Sequence, residues 1–222
     1  MYYPAIRQTN QHQKRSMTVY GISRLAVEPT IAVIQLGVVQ EDAELTKAQQ
    51  NNSNIIQKIT QALIKQGISS KHIQTADYSI YPQYDYNDNE QKFRGYQVNH
   101  LLSITIENIQ QTGNIIDTAV KNGANKVQNI QFSVQNKDLY YNNALRKALN
   151  NALSKAMAMA EELKIHLDPI PVKILEQSTE YPSFAAYKSF TNAGSTALSS
   201  TAIEPGQLYI EAKVEAHFHC YA

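Results

Sequence analysis

DLYYNNALRKALNNALSKAMAMAEELKI, residues Asp138 to Ile165, commits to one conformation more clearly than any other stretch of the chain. Leu145, Leu149, Ala152, Ala156, Met159 and Leu163 are spaced by threes and fours, which puts them on one stripe of an α-helix. Ala144, Ala148, Ala152, Ala156 and Ala160 recur every fourth residue beside it. Side chains this small let a helix approach a neighbouring layer closely. Arg146, Lys147, Asn150, Asn151, Ser154, Glu161 and Lys164 make the opposite face polar. A helix of this length runs roughly 40 Å, enough to span a domain. Strands from both halves of the chain are therefore expected to pack on it.

On the N-terminal side, Met17 to Glu28 reads as a strand bulged near Gly21, with Val19, Ile22 and Leu25 as its apolar positions. Thr30 to Gln40 is apolar on both faces and reads as a central strand, hairpinned to the first about Pro29. Glu41, Asp42 and Glu44 then open a helix whose apolar stripe (Leu45, Ala48, Ile55, Ile59, Ala62) runs to Gly67. Carboxylates at a helix start explain this trio without a metal. Tyr78 to Tyr86 and Phe93 to Glu107 read as a long hairpin, with Pro82 marking an edge strand. Tyr78, Tyr81, Tyr84, Tyr86, Phe93 and Tyr96 crowd it. A short helix over Ile109 to Asn122, with Ile115, Ile116, Ala119 and Val120 facing in, and a strand over Val127 to Gln135 lead into the long helix.

On its C-terminal side, Ile170 to Glu180 reads as a strand and Pro182 to Gly206 as a long connection rich in Ser, Thr and Ala. Gln207 to Cys220 alternates, with Leu208, Ile210, Ala212, Val214, Ala216 and Phe218 on one face. The expected fold class is α+β: two-layer α/β sandwich lobes, about seven mostly antiparallel strands and three helices, the longest near 138–164. The expected organisation is a disordered tail over 1–16, a discontinuous first lobe over 17–75 plus 168–222, and an inserted lobe over 76–167 carrying the projecting hairpin.

Composition narrows the function classes. The chain has 222 residues, 43% hydrophobic content and a net charge of +1 with the signs interspersed, which argues against an electrostatic nucleic-acid binder. The cluster Arg7, His12, Lys14, Arg15 reads as a solvated leader. Cys220 is the single cysteine, so no intrachain disulfide forms. No stretch approaches the ~20 apolar residues of a membrane span. Residues 1–16 lack the apolar core of a secretory signal, so the expected location is the cytosol.

Several pieces, taken in order, resemble the SIMPL-domain family, which includes bacterial periplasmic immunogenic and oxidative-stress-defence-like proteins. They are MTVYGISRLAVEPTIAVIQLGVV; IQTADYSIYPQY; and GANKVQNIQFSV leading to ALRKALNNALSKAMAMAEEL. The resemblance covers nearly everything from Met17 onward. It implies an α+β fold and, for some members, ring-like or barrel-like homo-oligomers. It carries no catalytic residues across. Most bacterial members are exported, which is the alternative to a cytosolic location.

No constellation for chemistry stands out. His217 and His219 lie two apart on the last strand and share a face, a spacing that suits two metal ligands if His100 or His166 supplies a third. A solvent-facing pair is the plainer reading. Gly194-Ser195-Thr196 is not a nucleophile elbow, and the glycines match no phosphate-binding loop. Nothing fixed lowers the pKa of Cys220. The expected function is therefore that of a non-enzymatic, self-associating protein without a cofactor, in stress defence or envelope-related physiology. Its interaction residues would be Tyr81, Tyr84, Tyr86, Phe93 and Tyr96, and its partners further copies of itself. The alternative is a small-ligand or metal-binding protein using an inter-lobe cleft or the His217/His219 pair.

Overall fold

The computed structural model describes residues 15–87, 90–177 and 201–221. In chain order its elements are β1 (Arg15–Val27), β2 (Ile31–Asp42), α1 (Leu45–Lys65), β3 (Ile73–Asn87), β4 (Glu90–Ile106), α2 (Thr112–Lys121), β5 (Lys126–Ser133), α3 (Lys137–Glu162), β6 (His166–Leu167), β7 (Lys173–Glu176) and β8 (Leu208–Tyr221). Eight strands in antiparallel sheets and three helices make it an α+β fold. The strand beyond the expected seven is β6, only two residues long and too short to leave a pattern in sequence.

The chain divides into two compact units. The first takes residues 15–27, 136–177 and 209–221, the second 28–135 and 201–208. This division differs from the expected lobes because β1 and β2 join different sheets: β1 pairs with β8, while β2 lies between β4 and β5. Pro29 therefore separates two units and does not turn a hairpin. Of the expected tail, Arg15 and Ser16 already belong to β1, and residues 1–14 lie outside the described residues. The expected loop is described only from Thr201 on.

In the first unit β8 is central, with β1 on one side and β6 and β7 on the other. Leu208 to Phe218 alternate as expected, and Cys220 joins their buried row. The helix packs differently from its strongest apolar signal. Ala144, Ala148, Ala152, Ala156 and Ala160 are the buried stripe, whereas Met159 and Leu163 are 46% and 62% exposed. The cause is Gly21. Burial alternates unbroken through Met17, Val19, Gly21 and Ser23, so there is no break in the strand there, and Ile22 points to the other face. A Cβ at Gly21 would stand 2.0 Å from the Ala148 carbonyl oxygen and 2.8 Å from the Ala152 Cβ. Only alanine against glycine permits so close a layer spacing, and leucines displaced to the flank follow from it. Near its N-terminus α3 is tied to β7 by the Tyr141 hydroxyl, which donates to Glu176 Oε1 at 2.6 Å. Burial and that carboxylate push the Tyr141 pKa up to about 12.

In the second unit the strand order is β3-β4-β2-β5, with β2 internal as expected. Ala32, Ile34, Leu36 and Val38 of β2 and Leu102, Ile104 and Ile106 of β4 form a core with Ile56, Ile59 and Leu63 of α1 and Ile115, Ile116 and Ala119 of α2. Val120, expected to face in, is 50% exposed. Glu41 and Asp42 end β2 and do not enter α1; Asp42 Oδ1 accepts from the Glu44 N–H at 2.9 Å, a local cap before the helix. In mid-helix, Asn52 is 1% exposed and its Nδ2 donates to the carbonyls of Val38 and Val98 at 3.1 and 3.3 Å, bridging β2 and β4.

The returning chain is fastened to α2. Asp117 accepts from the Thr201 hydroxyl at 2.6 Å and from its backbone N–H at 3.0 Å, and Ile203 packs on the core beyond. These bonds, the hydroxyl first, hold the Asp117 carboxyl below its ordinary range. A folded-state pKa below the unfolded one stabilises above the unfolded value and is lost as pH falls through the folded value. Hydrogen exchange at the Thr201 amide is therefore expected to quicken below pH ~4 beyond the intrinsic rate change. Asp117→Asn should weaken protection at neutral pH and abolish the acid step; an unchanged profile would show that the fastening lies elsewhere.

Candidate functional site

The hairpin of β3 and β4 outruns the sheet that bears it. The last residue of β2, Asp42, is opposite Tyr96, so residues 83–87 and 90–95 continue as a two-stranded ribbon. The ribbon bends at a bulge. Gln83 pairs with Gly95 and Tyr84 with Phe93, leaving Arg94 as the extra residue. Gly95 sits at φ +152°, and a Cβ there would stand 2.5 Å from the Asp42 carbonyl oxygen. Glycine is needed to turn the strand at that point.

Alternation along β3 puts Tyr81 and Tyr84 on opposite faces, and the bulge in β4 brings Phe93 and Tyr96, three residues apart, onto the Tyr84 face. Tyr84 and Phe93 are directly opposite, with ring centroids 5.7 Å apart, and Phe93 meets Tyr96 at 5.2 Å, both edge to face. These three form a continuous row. Tyr81 pairs with Gln97 and shares the opposite face with Glu41. For Tyr86 the register with Gln91 is described, and its side chain lies outside the described residues. Tyr84 and Phe93 pair with each other yet stay 41% and 46% exposed, and Tyr81 on the other face is 54% exposed, so none of the three is used up in a core. Tyr78 is drawn back toward the body, where its ring meets His100 at 5.1 Å and its hydroxyl accepts from Gln49 at 3.3 Å. Burial lowers the His100 pKa, against a smaller raising effect from Asp77.

On the Tyr81 face, Arg94 pairs with Glu41, and Gln97 donates to Glu41 Oε1 at 2.7 Å. The Gln97 bond, with Arg94 added, lowers the Glu41 pKa. Asp85 stands 3.9 Å from the guanidinium. Exposed pairs of this kind stabilise by at most ~1 kcal/mol and serve here to aim the ribbon. At its base Glu41, Asp42, Ala43, Gln83, Arg94, Gly95 and Tyr96 line a cleft of about 170 Å³. Further along the same face, Asn99 donates to Asp77 at 2.7 Å and to Ser79 at 3.3 Å, and Lys126 donates to Asn99 at 3.2 Å. Ser79 donates to Asp77 and has no imidazole beside it; His100 is on the other face by register.

The histidine pair belongs to the first unit. His217 Nε2 is 2.8 Å from Glu215 Oε1 and its Nδ1 is 3.2 Å from Thr18 Oγ1, so both ring nitrogens are engaged. The His217 bond, with Tyr20 and Gln177 adding theirs, lowers the Glu215 pKa. His219 Nδ1 is buried without a partner among the described residues. His166, on β6 opposite Tyr221, is the candidate third ligand in the same unit, and His100 belongs to the other. Among the described residues no three His, Cys, Asp or Glu side chains form a group that could hold a metal ion.

Fold and site together define an α+β protein of two helix-backed antiparallel sheets, one drawn out into an aromatic ribbon. The chain belongs to the SIMPL family, described as proteins of unknown function (DUF541), whose sequence model matches residues 17–218. It is 28% identical over 182 residues to the 26 kDa periplasmic immunogenic protein of Brucella melitensis, covering 79% of this chain and 72% of that one. The protein of the same name from Brucella abortus gives the same figures. The uncharacterized protein YggE of Escherichia coli is 27% identical over 152 residues, 68% of this chain and 61% of YggE. The names of the Brucella relatives point to export and correct the expected cytosolic location. The composition of residues 1–16 was the wrong guide, since the start of a sequence says nothing of what precedes it. Among the described residues no helix is long and apolar enough to cross a membrane.

Proposed function

We propose that this SIMPL-family chain is a non-enzymatic protein that associates with further copies of itself through the β3–β4 ribbon and serves stress defence or envelope physiology outside the cytosol. The observation that carries this reading is the row Tyr84–Phe93–Tyr96, which starts opposite the last residue of β2 and runs beyond it, with Tyr84 and Phe93 41% and 46% exposed. Aromatic side chains offer large contact area at low entropy cost and are enriched in interface centres. The periplasmic names of the Brucella relatives support the location. The small-ligand reading is less well supported, because the cleft at the ribbon's base holds about 170 Å³, under the ~300 Å³ at which small-molecule sites begin, and the larger hollow of about 400 Å³ lined by Ala158, Met159, Glu162 and Leu163 has a single polar side chain to orient a ligand.

Light scattering on the eluting peak is the test. The expected mass is a defined multiple of 25.0 kDa, and Tyr84→Ser with Phe93→Ser should shift it at least tenfold in concentration toward the monomer, as loss of ~1.4 kcal/mol or more from an interface centre would do. A wild-type monomer at micromolar concentration overturns the reading; assembly untouched by the double variant removes the ribbon from it.

A further inference from the structure

Two side chains of α3 close the outer edge of β1. Among the described residues β1 pairs in its sheet with β8 alone, so the backbone groups of every second residue point away from the sheet. Such a row is a template for another strand. At its centre the row is occupied: the Ile22 N–H donates to Asn151 Oδ1 at 3.1 Å, and Lys155 Nζ donates to the Tyr20 carbonyl at 2.8 Å. Asn151 and Lys155 are one helical turn apart on the same flank, a spacing of about 6 Å that matches the ~7 Å between alternate strand residues. The reach depends on the low seat of α3 over Gly21, where a Cβ would meet the Ala148 carbonyl.

We infer that Asn151 and Lys155 guard the β1 edge, and that without them this edge takes the β1 strand of a second copy in antiparallel pairing. The occupant follows from symmetry. Two identical edges related by a two-fold axis present every outward N–H to an outward carbonyl, an isologous contact that closes on itself. Tyr20 and Ile22, 51% and 49% exposed, become cross-strand neighbours of the kind that stabilise such a pair. In the native chain the same approach confronts two Lys155 ammonium groups and displaces two side-chain bonds at the centre of the contact. The β1 edge is separate from the β3–β4 ribbon, which belongs to the other sheet.

The test is the solution mass of the full chain carrying Asn151→Ala and Lys155→Ala, in the native background and with Tyr84→Ser and Phe93→Ser. The expected result is a twofold rise over the parent mass in the Tyr84→Ser, Phe93→Ser background and at least a twofold rise in the native background, where an assembled parent carries several freed edges, so failure of the ribbon reading leaves this one standing. Arg24→Pro removes an outward N–H from the edge strand and should return the mass to that of the parent. Lys155→Met, which keeps the stem and removes the donor, serves if the double variant does not fold, with the same rise expected. A mass unchanged by freeing the edge overturns the proposal, as does a rise that Arg24→Pro leaves in place.

Discussion

Gly21→Ala is expected to destabilise the chain by about 3 kcal/mol, a fall in melting temperature of roughly 10 °C. Most glycine-to-alanine changes in strands are neutral or favourable, because glycine loses the most freedom on folding. Here the new methyl would stand 2.0 Å from a main-chain oxygen of α3 and 2.8 Å from the Ala152 Cβ. Neither neighbour is the end of a flexible side chain, so the helix itself must shift by an ångström or more. That shift opens the alanine stripe along its buried length and draws Asn151 and Lys155 off the β1 edge. Ile22→Val, one residue away on the exposed face, should stay within about 0.5 kcal/mol. Thermal unfolding followed by circular dichroism reads both; equal melting temperatures for the two variants would show that the layers do not rely on Gly21.

Asn52→Asp is expected to cost about 3–5 kcal/mol at neutral pH, because it exchanges two donors for a buried carboxyl facing two carbonyl oxygens. The site is 1% exposed, and Nδ2 bonds to Val38 and Val98 while Oδ1 has no partner among the described residues. The sign with pH is fixed by that geometry. Burial without a cation raises the folded-state pKa of the introduced carboxyl above its unfolded value near 3.9, so the neutral form is tolerated below that value. As pH rises, the unfolded chain releases the proton first, and stability falls by up to 1.36 kcal/mol per pH unit until the folded-state pKa is reached. Urea unfolding at pH 4 and pH 7 should show the variant near the native protein at the lower pH and far below it at the higher. A loss that is the same at both would mean that Asn52 is packing, not clamping.

These residues show where sequence reading stopped. Asn52 left a signal, a polar residue at the fourth-residue step between Ala48 and Ile56 on an apolar stripe, and its meaning is clear only once β2 and β4 lie beneath it. Gly21 interrupts the apolar alternation of its strand, but nothing local distinguishes a bulge from a close approach. Glu41 and Arg94 are 53 residues apart, and Ile22 and Asn151 are 129 apart. Such pairs are created by register and packing, which leave no periodic trace. The aromatic hairpin is legible because its residues are close in sequence, while the meeting of Phe93 and Tyr96 on one face depends on a one-residue bulge at Arg94.

Local periodicity by itself determined the three helices, the long strands and the α+β class, since the alternations of two and three to four that place apolar residues on one face are set by backbone geometry. The partners of those elements were decided by tertiary structure alone. β1 and β2, one proline apart, part company because each edge is completed by strands distant in the chain. The alanine face of α3 takes the buried row and leaves Leu145 and Leu149 half-buried at its flank because Gly21 lets the backbones come within contact. Which of two available stripes is buried depends on the shape of the surface it meets, and that surface exists only after the chain has folded.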